Sequence, residues 1–258
     1  MHFRHSGNAG DVVYALPCVE ALAGGRPAHF HLYIDQPADY NPLIVHPMGN
    51  VMMNRKTAEM LQPLLAAQPY ISSCTIYEGG PVDVDLDSFR GGHIPLDRGH
   101  IARWYFQMFG VSRDLGKPWL FAQPDEQMRS SIVVARSNRY QMPFIAYDFL
   151  RAYDDVVFVG LPDEFEAMKK AVPGLRYRPV ADFLELAGVI AGAKMFIGNQ
   201  SFPFSIAEGL KVRRLLELDL ATPNVIVEGA DGYDFCFQDN FERLVHDVYH
   251  YGARKVRD

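Results

Sequence analysis

The sequence predicts an α/β protein built as two similar halves with largely parallel sheets. Three observations carry this. Short apolar, strand-like runs alternate with helical patterns along most of the chain; an order of strand, polar turn and helix opens the chain and recurs from Met195; and a segment holding Gly116, Pro118 and Pro124 separates the two series.

The first series places strands near His2 to His5, His29 to Asp35, Ser73 to Tyr77 and Val82 to Leu86, with helices near Val12 to Leu22, Lys56 to Ala67 and Gly99 to Phe109. In the second, strands fall near Ser131 to Ala135, Val156 to Gly160, Arg176 to Val180, Lys194 to Gly198 and Arg213 to Leu218. The helices between them are Glu164 to Val172, Phe183 to Ala191 and Phe202 to Leu210. These patterns divide the chain into domains over residues 1–122 and 126–240, followed by a C-terminal helix in 241–258. That helix, Phe241 to about Lys255, is long enough to reach back over the first half, and the tail from Tyr251 onward reads as frayed and solvated.

A chain of 258 residues, 48% hydrophobic, can bury one large core or two small ones, and it holds no run of apolar residues long enough to span a membrane. No apolar export segment precedes the first strand pattern, so a cytoplasmic location is expected. The net charge of −6 does not suit a general polyanion binder. Cys18, Cys74 and Cys236 are odd in number and far apart, which suggests reduced thiols rather than disulfides or a zinc site.

Chemistry concentrates in the opening turn, His5-Ser6-Gly7-Asn8-Ala9-Gly10-Asp11. Gly7 and Gly10 let backbone approach a ligand, and Asp11 stands at a helix mouth, where it reads either as an N-cap or as a functional carboxylate. A dinucleotide fingerprint is only half present, although Asp35 ends the second strand where a ribose-binding acid would stand. The second constellation is Gly198-Asn199-Gln200-Ser201, with Ser201 as N-cap and Pro203 in the first helical turn, a setting that suits a diphosphate. Arg136 and Arg139 follow the first strand of the second half and could clamp phosphate. Glu217 could accept a ribose diol, or pair with Arg213 or Arg214.

Arg90, Arg98, His100 and Arg103 fall close to Trp104 and Tyr105, a mixture able to stack on and neutralise a sugar, a base or a phosphate, unless the aromatics of the helix Gly99 to Phe109 merely face a core. Asp83, Asp85 and Asp87 alternate along a strand. Their intervening residues are apolar, and Ile94 stands where a calcium loop would need its glutamate, so a solvated strand face is expected and no metal is assigned.

Gly10-Asp11-Val12-Val13 with Leu16-Pro17, and Phe196-Ile197-Gly198-Asn199 with Ser201, Pro203 and Ile206-Ala207, resemble the family 9 glycosyltransferases, whose familiar members are the heptosyltransferases. The resemblance covers those motif regions well, Val156 to Leu210 moderately and Asn41 to Gln123 hardly at all. It implies the GT-B architecture, two Rossmann-like halves facing a central cleft, the first for the acceptor and the second for the nucleotide-sugar. It also implies Asp11 as general base of an inverting transfer from a nucleoside diphosphate sugar, with Gly198 to Ser201 receiving the phosphates. Gly10, Arg136, Arg139, Asn199, Gln200 and Glu217 complete the donor set, and His5, Arg90, Arg98, Arg103 and Trp104 make the acceptor-side set.

The chain departs from the family pattern at Gln200, where an aspartate is usual, at Phe202, where a glycine is, and at Ser205, where a histidine is, so the donor need not be ADP-heptose. The expected reaction is hexosyl- or pentosyl-type transfer to a glycan or glycolipid hydroxyl, with no cofactor and no divalent ion. Alternatives are a phage-type glycosyltransferase acting on a hydroxymethylated DNA base, a nucleotide-sugar epimerase, a non-catalytic nucleotide-sugar binder and, less favoured, a NAD enzyme.

Overall fold

The computed structural model describes residues 1–38, 48–91 and 94–251. Its contacts divide the chain into two compact units, Met1–Asp114 with Asp182–Leu184, and Leu115–Ala181 with Glu185–Asp258. The tail beyond Tyr251, expected to be frayed, lies outside the described residues.

In the first unit, β1 (His2–His5), β2 (Ala28–Leu32), β3 (Ile71–Ile76) and β4 (Val84–Asp85) form a parallel sheet in the order β3-β2-β1-β4. Helices α1 (Ala9–Ala23) and α2 (Arg55–Ala66) link the first three strands, and α3 (Ile101–Phe109) follows a 3-10 turn at Leu86–Arg90. The steps from β1 to β2 and from β2 to β3 move the same way across the sheet, so right-handed crossovers put α1 and α2 on one face. That face buries Phe3, Phe30 and Leu32. The return from β3 to β4 takes only residues 77–83 and contains no helix. The other face accordingly carries half-buried His2, Arg4, His29 and His31, an alternation that parallel strands covered on both sides do not show.

The alternating aspartates do not form the expected solvated strand face. Asp83 accepts the His2 backbone N–H at 2.8 Å, Asp85 pairs with Arg4, and Asp87 accepts the Ser6 N–H through both carboxylate oxygens at 3.0 and 3.1 Å. Alternate acids thus hold alternate residues of β1 and its exit, in step with the parallel register of β1 and β4.

In the second unit, β5 (Ile132–Ala135), β6 (Val156–Phe158), β7 (Arg176–Tyr177), β8 (Met195–Asn199), β9 (Arg214–Glu217) and β10 (Gly232–Phe235) form a parallel sheet ordered β10-β9-β8-β5-β6-β7. Helices α4 (Pro162–Ala171), α5 (Phe183–Gly192) and α6 (Phe202–Leu210) stand between strands, and α7 (Gln238–Tyr251) follows the last. Every residue of β5 and β8 is buried, which is why β5 and β8 up to Gly198 read as apolar runs. β10 was not expected from the sequence; at the sheet edge its Gly232 and Tyr233 are half-buried and Asp234 is exposed.

Helix α7 spends its apolar stripe, Phe241, Leu244, Val245 and Val248, on the core of its own unit. The Phe241 ring stacks parallel on Phe235 at 3.9 Å and tilts against Tyr147 at 4.8 Å. The contacts divide at Leu115, ahead of the expected boundary, because Trp119 and Leu120 are buried and donate backbone N–H groups to the Gly209 carbonyl of the second unit. None of the three cysteines is paired. Cys18 is buried, Cys74 and Cys236 are half-buried, and burial pushes the Cys18 and Cys74 thiols up to about 12.

Candidate functional site

Open parallel sheets bind ligands beyond the carboxyl ends of their strands, at the point where strand order reverses. In the first unit that point lies between β1 and β4, since β2 and β3 are added on one side of β1 and β4 on the other. The turn leaving β1 and the 3-10 turn leaving β4 meet there. Asn8 is the N-cap of α1, so Asp11 is not a cap as one reading had it; it stands in the first helical turn, with Gly10 before it. Its carboxylate gains there from the positive end of the helix.

Asp11 Oδ2 accepts Arg90 Nη2 at 2.7 Å, and Arg90 Nη1 donates to Asp87 Oδ1 at 2.6 Å. The Phe89 ring packs 4.6 Å from the guanidinium. Gly7 explains itself in this setting, because a Cβ there would collide with Arg90 Nη2 and His5 Cε1.

His5 is fully buried and backs this arrangement instead of presenting itself to an acceptor. Its Nδ1 accepts the Gly7 N–H at 2.8 Å, which leaves Nε2 to donate to the Tyr105 hydroxyl at 2.6 Å, the pattern of a neutral ring. Burial, with the Arg90 charge second, holds His5 well below the usual imidazole range. Burial, then His2 and His29 stacked nearby, lowers His31 too. Both rings are neutral in the fold and take a proton more readily when it opens. Stability is therefore full above about pH 6.5, the unfolded imidazole value, and declines as pH falls below it. Thermal melts at steps from pH 7.5 to 5 should show a falling midpoint, and a flat profile would contradict the assignment.

Arg98, Arg103 and Trp104 gather around the start of α3. Trp104 Nε1 donates to the Arg98 carbonyl at 2.9 Å, the Arg98 guanidinium sits on Asp97, and Arg103 is exposed. The aromatic question on this helix resolves by residue: Tyr105 is buried in the core and Trp104 only half-buried.

In the second unit the reversal falls between β5 and β8, where Arg136 to Tyr140 and Gln200 to Ser201 leave the sheet. Asn199 is buried and spends its amide across this gap, accepting the Ser137 N–H at 3.0 Å and donating to the Ser137 carbonyl at 2.9 Å and to the Arg139 carbonyl. Gln200 donates to the Thr222 carbonyl at 2.6 Å and accepts the Asp219 N–H at 2.6 Å, so it braces the loop after β9. Ser201 occupies the N-cap position of α6, but its hydroxyl turns back to the Asn199 carbonyl at 3.3 Å instead of capping. Ser205 is buried, with its hydroxyl on the Phe202 carbonyl. A Cβ on Gly198 would crowd Phe196 and the Ala135 carbonyl, so this glycine serves sheet packing.

Arg136 forks onto Glu217 with two bonds of 2.7 Å, and Glu217 also accepts the Met142 N–H and the Tyr147 hydroxyl, each at 2.8 Å. Glu217 has no exposed surface, so its carboxylate faces these donors rather than a ribose, and its partner is Arg136, not Arg213 or Arg214. Arg214 pairs with buried Glu208 instead. Arg139, half-buried beside Tyr140, forms no ion pair among the described residues, although its charge reaches the Glu164 carboxylate. Tyr147 was not singled out from the sequence, and Asp87 was read only as one of three acids on a strand face; the step of those aspartates against His2, Arg4 and Ser6 was the available signal for its role.

The fold is that of the heptosyltransferase-like GT-B glycosyltransferases. The chain superimposes on E. coli heptosyltransferase WaaC with ADP at a TM-score of 0.60 and 11% identity, over 98% of both chains. It matches the family 9 glycosyl transferase of Veillonella parvula at 0.59 and 14%, over 96% of this chain and 88% of that one. E. coli ADP-heptose LPS heptosyltransferase II follows at 0.52 and 14%, over 96% and 98%. No protein-family model matches the sequence, and no curated protein does. Among the described residues no helix is long and apolar enough to cross a membrane.

Proposed function

We propose that the protein is an inverting glycosyltransferase that moves a sugar from a nucleoside diphosphate donor to a hydroxyl of a glycan or glycolipid. The observation that carries this reading is the Asp11 carboxylate at the strand-order reversal of the first sheet, fixed through Oδ2 while Oδ1 has no hydrogen bond among the described residues. Asp11 Oδ1 takes the proton of the acceptor hydroxyl as that oxygen bonds to the anomeric carbon. The bond from that carbon to the phosphate oxygen breaks, and the diphosphate leaves with the electron pair. Arg139 and the positive end of α6 behind Ser201 stabilise the departing charge, so the scheme calls on no divalent ion. Arg136, already neutralised by Glu217, holds the loop that carries Arg139 rather than the phosphate itself.

The likeness to enzymes crystallised with ADP and with ADP-2-deoxy-2-fluoro heptose supports a nucleotide-sugar donor, and it favours neither DNA modification, epimerisation nor a purely binding role. A thermal-shift panel of UDP, GDP, ADP, CMP and dTDP, with and without EDTA, tests the donor. The matching nucleotide at about 100 times its Kd stabilises the fold by roughly 2.7 kcal/mol, and EDTA leaves the shift in place. No shift with any nucleotide would sink the reading.

A further inference from the structure

We infer that Arg90 is the positioning residue for Asp11, an inference that rests on Asp11 being the base. The two carboxylates it touches come from different elements on either side of the strand-order reversal, Asp11 from α1 and Asp87 from the turn after β4. One planar guanidinium spans both, with bonds of 2.7 and 2.6 Å, and each side chain is about one fifth exposed. A lysine ammonium lacks this fork.

The guanidinium is itself held on every side. Phe89 lies against it, the space beside it is kept open by the absent side chain of Gly7, and Asp87 is locked by the Ser6 N–H. Behind it, buried His5 links the Gly7 N–H to Tyr105. The bond falls on Oδ2 of Asp11 and so orients Oδ1 for the acceptor proton. Arg90 therefore sets the direction of the base without taking the proton, and the sequence reading of Arg90 as an acceptor contact gives way to this role.

The test uses the full chain and needs no identified acceptor, because water can replace one: release of ADP from ADP-heptose, and of UDP from UDP-glucose, is followed for wild type, D11N, R90Q, R90K and D87N. Misplacement of a base by about 1 Å can cost on the order of a hundredfold in rate. R90Q should lose about a hundredfold in kcat with donor KM within roughly twofold, R90K should recover about tenfold of that loss, and D87N, which keeps the Asp11 pair and removes the second anchor, should lie between R90K and wild type.

If R90Q does not fold, as judged by its melt, the R90K and D87N order carries the test. A dead D11N with R90Q, R90K and D87N all at wild-type kcat would overturn this inference alone, as would a loss expressed only in donor KM. Wild-type release by D11N, or none by wild type from either donor, would end the reading of Asp11 as base and this inference with it.

Discussion

Replacing Glu217 by alanine should cost the second unit about 3–5 kcal/mol and lower its melting midpoint by roughly 10 °C, the largest stability loss expected for any single change at the candidate site. The carboxylate is wholly buried and receives four donors, two from Arg136 and one each from Met142 and Tyr147. Removing it strands a guanidinium that is only 15% exposed and leaves a buried hydroxyl and a backbone N–H unpaired. Burial, with Glu217 second, keeps the Tyr147 phenol well above its usual range, so Tyr147 stays a donor throughout the physiological interval. Urea unfolding of E217A beside E217Q reads the effect. The glutamine keeps the shape and part of the hydrogen bonding, and should lose less. A loss below about 1 kcal/mol for E217A would mean that Arg136 finds water and that the cluster contributes little.

Asp11→Asn should lower transfer by two to four orders of magnitude while leaving the fold intact. A positioned base contributes about that much, and the amide oxygen can still accept from Arg90 while no longer taking a proton. Initial rates with the donor chosen by the nucleotide panel would measure it, with the melting midpoint as control. A variant within about threefold of wild type would remove Asp11 from the chemistry.

Much of the fold was legible because local pattern and burial agree. β5 and the first four positions of β8 are apolar since both faces are covered, and α6 begins and ends where Phe202 and Leu210 were expected. β10 escaped notice because an edge strand with an exposed aspartate carries little hydrophobic signal. At the site, a strand followed by a glycine turn and a helix is a local event, and Asp11 could be picked from it. Arg90 could be named too, but not as its partner. Arg90 is 79 positions away, and Glu217 is 81 from Arg136; each pairing depends on which strand lies beside which, and the neighbour of β1 is reached through a crossover with no helix to announce it.

That helix-free crossover has a consequence for how the first unit can change. Residues 77–83 bring exposed Gly79 and Gly80, both at positive φ, into a connection that ordinarily carries a whole structural layer. A segment inserted there would disturb none of the packing under α1 and α2, and could bury the histidine-lined side of the sheet as it grew. The first unit can therefore gain mass at that one connection while the edge that carries Asp11 and Arg90 stays as it is.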